Sequence, residues 1–394
     1  MLIKKEQKPI IRSLFDTDTY KLTMQQANFF KYPDVDVEYE LNNRDKTYMP
    51  PGFGERYQEE IYKMKGLRIP DGGLEWLKGV LPVFKKEYLE YLGDYRFNPD
   101  EISVIQTNAP EDNIHIKAKG KAPSSIPWEV PCLGLFELYY QMTGNKGDWS
   151  HFTKSTTEKI RLWSEAKIKL IEMGTRRRYS YDAQDYAVGR FAREYPHLLG
   201  TSNVHLAYKY GIKPKGTVAH EWPMLHQVLF GTAQANIKAL ETWREIYGNL
   251  LSIVLPDAFT TDFFLKTFTK EWAEWADGGR QDSYDPNIFA KKWIQHYLNL
   301  GIDPKTKLVF FSDSLDLWKP IELQKRWSPE IGTGFGIGTF ITNDFGIKPL
   351  NIVMKLTKVN GQPAVKIPDT PGKRNGDPAR AEEVAQEIAE LMKN

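Results

Sequence analysis

The sequence is poor in cysteine, since Cys132 is the only one among its 394 residues. A single cysteine excludes an internal disulfide framework and a metal site built from several thiolates. It fits a reducing, cytoplasmic location, which we expect for this chain. The first eight residues lack the apolar stretch of a signal peptide. No run approaches the roughly 20 apolar residues of a membrane span, so we expect no membrane association.

Excess charge is also nearly absent, because 53 Lys and Arg residues face 51 Asp and Glu residues. The totals therefore do not point to a nucleic-acid partner, and we expect none. Anionic small molecules respond to local rather than total charge, so basic clusters still matter. Hydrophobic residues make up 41% and charged residues 26%, as in an ordinary globular protein. The length allows about two or three domains.

The two ends of the chain share one pattern. Residues 15–30 have helical spacing, and residues 35–41 alternate as a half-buried strand does. Residues 102–107 and 113–119 predict a strand pair. Near the other end, residues 352–358 and 364–367 flank Asn360-Gly361, a strong hairpin signal, before a helix at 377–393. We expect the late strands to join the early sheet, giving a discontinuous outer α/β domain of residues 1–134 plus 346–394.

The middle of the chain, residues 135–345, alternates predicted helices and strands. The helices are predicted at 160–166, 203–210, 261–268, 288–300 and 317–325, and the strands at 167–173, 216–219, 251–255, 275–279 and 307–311. Such alternation implies parallel βα units. We therefore predict an α/β barrel that forms the catalytic domain.

Polar residues follow the predicted strands, where α/β enzymes place their active sites. They are Gly174-Thr175-Arg176-Arg177-Arg178, His220-Glu221, Asp257, Arg280-Gln281-Asp282-Ser283, Ser312-Asp313-Ser314 and the glycine-rich run from Gly332 to Thr339. The glycine run lets backbone N–H groups approach a phosphate. Its spacing is GxGxG near the chain end rather than the GxGxxG of dinucleotide binding, so a barrel phosphate site fits better. A tight, flexible turn is the alternative.

The basic run at 176–178 suits carboxylate or phosphate binding, since each Arg offers a planar fork of donors. A solvated basic face is the alternative. His220 suits a nucleophile or base that a neighbouring carboxylate such as Glu221 orients. A zinc site with His226 is the weaker alternative, because the spacing is not HExxH and Pro223 interrupts it. We therefore predict no metal bound by His ligands.

Carboxylates at the strand ends are candidates to hold Mg²⁺ through water or to bind ribose hydroxyls. Any of them could instead cap a helix. They are Asp257, Asp282, Asp313 and Asp316.

Taken together, seven segments in order resemble the nicotinate phosphoribosyltransferase family in its longer bacterial form. They are Asp18–Met24, Met173–Arg178, Gly200–Val204, Gly216–Glu221, Arg280–Ser283, Ser312–Leu315 and Gly334–Thr339. The resemblance covers nearly the whole chain. Two departures are Met173, where many relatives have Phe, and the stretch around Asp257, which matches loosely.

The resemblance implies an irregular α/β barrel of the type II phosphoribosyltransferase kind, plus the outer domain described above. It implies a ligase-type enzyme of NAD salvage that makes nicotinate mononucleotide and pyrophosphate from nicotinate and phosphoribosyl pyrophosphate. ATP hydrolysis would be coupled through a phosphohistidine, which matches His220, with Mg²⁺ as cofactor. A homodimer that shares its active sites is also possible by this resemblance.

Roles for individual residues follow from the same resemblance. Glu221 and Asp282 would act with His220, and Tyr20 would stack on the pyridine ring. Arg176 and Arg280 would bind the nicotinate carboxylate or phosphates. Substrate contacts are further expected from Thr201, Ser202, Ser283, Ser314, Gly336, Gly338 and Thr339, of which the last three would cradle the 5′-phosphate. Lys366 and Lys373 are further candidates.

Substrate choice can be argued from charge. Nicotinamide-using relatives carry Asp where this chain has Ser202, and a cationic site without an opposing carboxylate prefers the anion nicotinate. Nicotinamide or quinolinate as substrate, a dehydrogenase, and a non-catalytic binding protein are the rival interpretations. The position and spacing of the glycine run count against the dehydrogenase.

Overall fold

Two β-sheets organise the computed structural model, which describes residues 9–370 and 374–393. The predicted contribution of Lys373 lies outside the described residues. The strands are β1 Asp36–Asn43, β2 Ile102–Gln106, β3 Ile114–Lys121, β4 Leu170–Glu172, β5 Leu198–Thr201, β6 Ile253–Val254, β7 Gly278–Gln281, β8 Leu308–Phe311, β9 Gly332–Ile337, β10 Ile352–Val359 and β11 Gln362–Pro363.

Helices cover both sheets and link their strands. They are α1 Thr19–Lys31, α2 Phe53–Met64, α3 Gly73–Val80, α4 Lys86–Asp94, α5 Ala122–Ser125, α6 Glu129–Gly134, α7 Glu137–Thr143, α8 Trp149–Glu165, α9 Tyr181–Glu194, α10 Val204–Tyr210, α11 Glu221–Phe230, α12 Thr232–Tyr247, α13 Thr261–Thr267, α14 Lys270–Trp275, α15 Pro286–Asn299, α16 Lys319–Trp327, α17 Thr339–Thr342 and α18 Pro378–Lys393. Within the described ranges, no helix is long and apolar enough to span a membrane.

The first sheet is antiparallel and joins strands from both chain ends in the order β11-β10-β1-β3-β2. The predicted hairpin is confirmed: Asn360 and Gly361 both have positive φ, 49° and 76°, as a type I′ turn requires. The predicted second strand at 364–367 is wrong, because the strand that pairs with β10 is Gln362–Pro363, and one further backbone bond follows it, from the Ala364 N–H to the Thr357 carbonyl. Ile367 instead bridges Phe259, and this turn of the chain carries Lys366 toward the second sheet. The domain boundaries themselves stay a prediction.

The second sheet is parallel, with the order β5-β4-β9-β8-β7-β6. This confirms the mixed α/β class. The glycine run was predicted as a loop, but most of it is the central strand β9. A Cβ on Gly336 would lie 2.4 Å from the Met173 sulfur and 2.8 Å from Cε1 of Phe310. The Met173 and Phe310 side chains therefore occupy the space that the side chain of any other residue at 336 would need. A glycine is needed at this position of the strand because neighbouring side chains pack directly against its backbone.

The strand predicted at 216–219 is wrong, and β5 at Leu198–Thr201 was missed. The chain just before 216 instead runs along the edge of the sheet. The Thr201 N–H donates to the Lys213 carbonyl at 3.2 Å, and the Lys215 N–H donates to the Thr201 carbonyl at 2.8 Å. The Thr217 hydroxyl donates to the Ile253 carbonyl at 3.3 Å. This segment therefore connects the two edge strands, β5 and β6, that do not form a ladder with each other.

Large aromatic side chains fill the space between the parallel sheet and its helices. Trp163 and Trp293 are fully buried there, together with Phe311 and Phe335, whose rings stack 5.6 Å apart. A separate core lies under the antiparallel sheet. Both sheets are thus anchored on their own apolar layers, and their polar residues are left to face the space between them.

Candidate active site

A cavity of about 640 Å³ opens between the carboxyl ends of the parallel strands and the antiparallel sheet. Twelve of the candidate residues from the sequence line it: Tyr20, Arg176, His220, Glu221, Arg280, Asp282, Asp313, Ser314, Gly336, Gly338, Thr339 and Lys366. The strand-end argument thus located the cavity. The antiparallel sheet and the tail add residues that the sequence did not single out for the site, namely Arg44, Lys355 and Asn375.

His220 lies immediately before α11 and is only 4% exposed. Its Nε2 is 2.9 Å from Oδ1 of Asp257 and 2.9 Å from Nζ of Lys366. Oδ2 of Asp257 also accepts from Lys366 at 3.0 Å and from the Ser283 hydroxyl at 2.6 Å. Burial alone would raise the pKa of Asp257, but Lys366 and His220 hold it well below its usual value. The orienting carboxylate is therefore Asp257.

The imidazole of His220 is neutral at physiological pH. Burial, reinforced by the nearby Lys366 ammonium, lowers its pKa to about 4. We assign the ring proton to Nε2, which donates it to Oδ1 of Asp257, because an ionised, buried carboxylate requires donors around it. Lys366 is itself a donor, so its hydrogen bond goes to Oδ2 of Asp257 and not to this nitrogen. The lone pair is then on Nδ1, which has no hydrogen-bond partner in the described part of the chain. The geometry suits a nucleophilic imidazole.

Glu221 does not orient His220, contrary to the sequence prediction. Its carboxylate pairs with Lys21, which also contacts Glu129 at 2.5 Å. Arg176 reaches the other oxygen of Glu129 at 3.4 Å. Burial alone would raise the pKa of Glu129, but Lys21 and Arg176 hold it at about 2. These groups form a buried ion cluster that anchors Arg176 at the cavity wall.

The zinc alternative does not form in the structure. His226 points away from His220: its Nε2 lies 3.0 Å from the Tyr32 hydroxyl and its Nδ1 2.7 Å from the Trp222 carbonyl. It is a buried, satisfied core histidine.

Asp282 is the more accessible carboxylate beside His220. One oxygen is 3.7 Å from Nε2 of His220, and the other accepts from the Ser312 hydroxyl at 3.1 Å. Burial alone would raise the pKa of Asp282, but Arg280 and His220 hold it at about 2. His220, Asp257 and Asp282 place ligand-type atoms within 4.8 Å of one another. Asp257 already has three donors, so Asp282 is the carboxylate best able to meet a divalent cation.

Other predicted residues lie behind the cavity wall rather than on it. Thr201 bonds to the buried Glu172 at 2.5 Å, and Ser202 donates to Asp18 at 2.8 Å. Ser283 holds Asp257, as described above. The structure therefore gives Ser202 a carboxylate neighbour that the substrate argument from sequence did not include. Burial raises the pKa of Asp18, which favours its neutral form. Asp316 accepts from the N–H groups of Trp318 and Lys319 at the start of α16, which supports a role at the helix start for this residue.

Positive charge dominates the cavity lining. Among the described residues its cations are Arg44, Arg176, Arg177, Arg280, Lys348, Lys355 and Lys366, and its carboxylates are Glu129, Glu221, Asp282, Asp313 and Asp344. Burial lowers the pKa of Lys355 to about 8. Lys355 is one of two lysines in the otherwise largely apolar strand Ile352–Val359, a signal that could have been noticed in the sequence. Arg44 carries no such signal. The excess of cations suits an anionic ligand.

Two buried polar atoms on the cavity wall have no partner within the described ranges. They are the Tyr20 hydroxyl and Nε of Arg280. Buried polar groups are nearly always hydrogen-bonded in native proteins. Groups of a bound ligand would satisfy them.

Comparison with known proteins gives a consistent result. The model described as the "Nicotinate phosphoribosyltransferase (NAPRTase) family" matches residues 168–390, and that of its N-terminal domain matches residues 15–136. A nicotinate phosphoribosyltransferase of Desulforapulum autotrophicum is 40% identical over 98% of both chains. One of Escherichia fergusonii is 40% identical over 93% of this chain and 92% of its own. The crystal structure of the Porphyromonas gingivalis enzyme is similar with a TM-score of 0.93 at 35% identity, covering 96% of this chain and all of that one.

Proposed function

The chain belongs to the nicotinate phosphoribosyltransferase family, and on that premise we propose that it joins nicotinate to phosphoribosyl pyrophosphate, releases pyrophosphate, and couples this reaction to ATP hydrolysis in NAD salvage. The observation that carries the proposal is the cation-rich cavity with His220 at its wall. Nicotinate, phosphoribosyl pyrophosphate and ATP are all anions, and a lining with more cations than carboxylates attracts each of them.

In the proposed reaction the pyridine nitrogen attacks the anomeric carbon of the ribose while the bond to pyrophosphate breaks. Positive charge grows on the sugar and negative charge on the leaving group. Arginine and lysine side chains stabilise the departing anion when they are already in place before the reaction. The Lys21–Glu129 cluster holds Arg176 in this way. No strong acid or base is needed, so positioning supplies much of the rate.

Nicotinate is expected to bind between Tyr20 and the two arginines of the cavity wall. The guanidinium of Arg176 lies over the Tyr20 ring, 5.9 Å from its centroid. A pyridine carboxylate suits the fork of Arg176 or Arg280, and Nε of Arg280 is one of the unsatisfied donors. The backbone from Gly336 to Thr339 would bind the 5′-phosphate.

The ATP-dependent step is proposed to phosphorylate His220. The lone pair of Nδ1 attacks the γ-phosphorus, the bond to the bridging oxygen breaks, and ADP leaves with that electron pair. The imidazole then carries a positive charge, which the ionised Asp257 stabilises through Nε2. Water later takes the phosphoryl group and restores the neutral ring.

Mg²⁺ would supply charge neutralisation of the phosphate groups when bound. Mg²⁺ prefers oxygen ligands and usually bridges one or two carboxylates to substrate phosphates. Asp282 fits this requirement, since it is ionised and partly exposed at the cavity.

The test is product formation from labelled nicotinate with phosphoribosyl pyrophosphate and Mg²⁺, with and without ATP, and with nicotinamide in parallel. We expect nicotinate mononucleotide, faster with ATP, and no product from nicotinamide. If nicotinamide gives product and nicotinate does not, nicotinamide is the substrate and the assignment of nicotinate is wrong. No product from either base would contradict the enzymatic proposal.

His220→Ala separates coupling from transfer. We expect the ATP-dependent gain to disappear, while slow phosphoribosyl transfer remains, because the imidazole accepts phosphate but is not needed for attack on the ribose. His115→Ala is the matched control, since His115 is exposed on β3. Complete loss of transfer with the fold intact would give His220 a more direct role.

A homodimer and a cytoplasmic location stay predictions. Sedimentation of the purified chain tests the first, and cell fractionation tests the second.

A further inference from the structure

A short segment at the cavity rim, Gly338–Asp344, contains α17 and several lining residues. It is held on one side by the loop that carries Arg176. The Thr342 hydroxyl donates to the Gly174 carbonyl at 3.0 Å, and the Asn343 amide donates to the Arg177 carbonyl at 2.9 Å. A four-residue helix is not stable by itself, so the rim depends on such outside contacts.

On its other side the rim is held by one buried lysine, Lys159 of α8. Its Nζ donates to the Phe340 carbonyl at 2.5 Å and to Oδ2 of Asp344 at 2.7 Å. Ser155, one turn earlier, donates to the same Asp344 oxygen at 2.5 Å. The Lys159 side chain is 1% exposed. Burying an ammonium is costly unless it is paired, so this contact is specific.

Charge gives Lys159 a second effect. Asp344 lines the same cavity as Gly338 and Thr339, where the proposed 5′-phosphate would lie. An unneutralised carboxylate there would repel a phosphate. Burial alone would raise the pKa of Asp344, but Lys159 holds it below its usual value, so the carboxylate is ionised.

We propose that Lys159 is a positioning residue that sets the affinity for phosphoribosyl pyrophosphate, because it anchors the rim segment and neutralises Asp344 beside the phosphate site. The proposal rests on the proposed function. Lys159 does not line the cavity, so it acts only through Phe340 and Asp344.

The experiment compares steady-state constants for wild type, Lys159→Met, Asp344→Asn and the double variant. Lys159→Met should raise KM for phosphoribosyl pyrophosphate by about tenfold, since the unpaired Asp344 carboxylate repels the phosphate. The KM for nicotinate and kcat should stay within about twofold. The double variant should recover part of the loss, because the repelling carboxylate is gone while the bond from Lys159 to the Phe340 carbonyl is still missing. Lys154→Met, on the exposed face of α8, is the control.

Recovery in the double variant distinguishes the proposal from a merely structural role, which predicts a double variant at least as poor as Lys159→Met. Equal losses for both substrates, or no recovery, would overturn the proposal. If Lys159→Met does not fold, Asp344→Asn alone tests the proposal. Its side-chain amide keeps the hydrogen bonds but removes the charge, so the KM for phosphoribosyl pyrophosphate should stay equal or fall. A rise of about tenfold would contradict the repulsion argument. Binding of phosphoribosyl pyrophosphate to each variant is also measured by calorimetry, which does not require turnover. If the wild type is inactive, that result counts against the proposed function, while the binding constants still compare the variants.

Discussion

Asp257→Asn is the most informative single substitution at this site. The Asp257 carboxylate accepts from His220, Lys366 and Ser283 and is 1% exposed. Removing one charge of a buried pair costs about 3–5 kcal/mol, because the other charge is left without compensation. We expect about 3 kcal/mol of unfolding free energy to be lost, at the lower end, since Asp282 stays near the remaining cations and the amide oxygen still accepts one hydrogen bond.

The same substitution should abolish most phosphorylation of His220. An amide can donate to Nε2, which would move the ring proton to Nδ1 and remove the nucleophilic lone pair. Replacing the Asp that fixes a catalytic His by Asn lowered turnover about 10⁴-fold in a serine protease, so we expect a loss of about 10³-fold or more here. The loss of charge also removes the counterion of the imidazolium that forms in the step.

Two measurements check this reasoning: urea unfolding, and acid-labile label on the protein from γ-labelled ATP. The double variant Asp257→Asn/Lys366→Met should regain about 2 kcal/mol relative to the single variant, because the unpaired ammonium is gone. Phosphorylation should not return. Asp262→Asn, at an exposed position that pairs with Lys292, should change stability by about 0.5 kcal/mol or less. Normal phosphorylation in Asp257→Asn, or a double variant no more stable than the single one, would refute the assignment.

Two further predictions concern the packing behind the site. Burial raises the pKa of Glu172 from 4.5 to about 7, so the native state binds this proton more tightly than the unfolded state does. The stability that proton binding contributes is fully present below pH 4.5 and is lost as pH rises through about 7. Between these pH values, the free energy of unfolding of wild type should fall by roughly 3 kcal/mol more than that of Glu172→Gln, as measured by urea unfolding. Parallel pH profiles of the two proteins would contradict the raised pKa. Gly336→Ala should lower the unfolding free energy by about 1–3 kcal/mol because its Cβ meets Met173 at 2.4 Å. Gly79→Ala, in a helix with nothing within 4 Å, should instead be neutral or stabilising, and equal effects would show that crowding is not the cause.

Periodicity found most of the described strands but fewer than half of the described helices, and it missed long ones such as α2, α9 and α12. The hairpin at Asn360-Gly361, the strand pair at β2 and β3 and the C-terminal helix lie where the sequence predicts them. The errors fall where tertiary contacts override local preference. Residues 216–219 look like an apolar strand but belong to the segment that links two sheet edges. The glycine run looks like a loop but packs as β9.

The candidate site shows the same division. Residues at the ends of predicted strands, such as Arg176, His220 and Asp282, do line one cavity. The pairing of His220 could not be predicted, because Asp257 and Lys366 lie 37 and 146 residues away along the chain. Adjacency in sequence suggested Glu221, but successive residues at a helix start point in different directions, and Glu221 turns to Lys21.

The sequence by itself determined the class of the fold, the strand ends that supply polar groups and the resemblance to one family, because these depend on local periodicity and on ordered motifs. Only the tertiary structure decided which charges meet. The antiparallel sheet and the tail bring Arg44, Lys355 and Lys366 over the parallel sheet, and burial then selects the protonation states. A carboxylate's partner is set by distance in space, and spacing along the chain does not encode that distance for residues brought together by long-range sheet pairing.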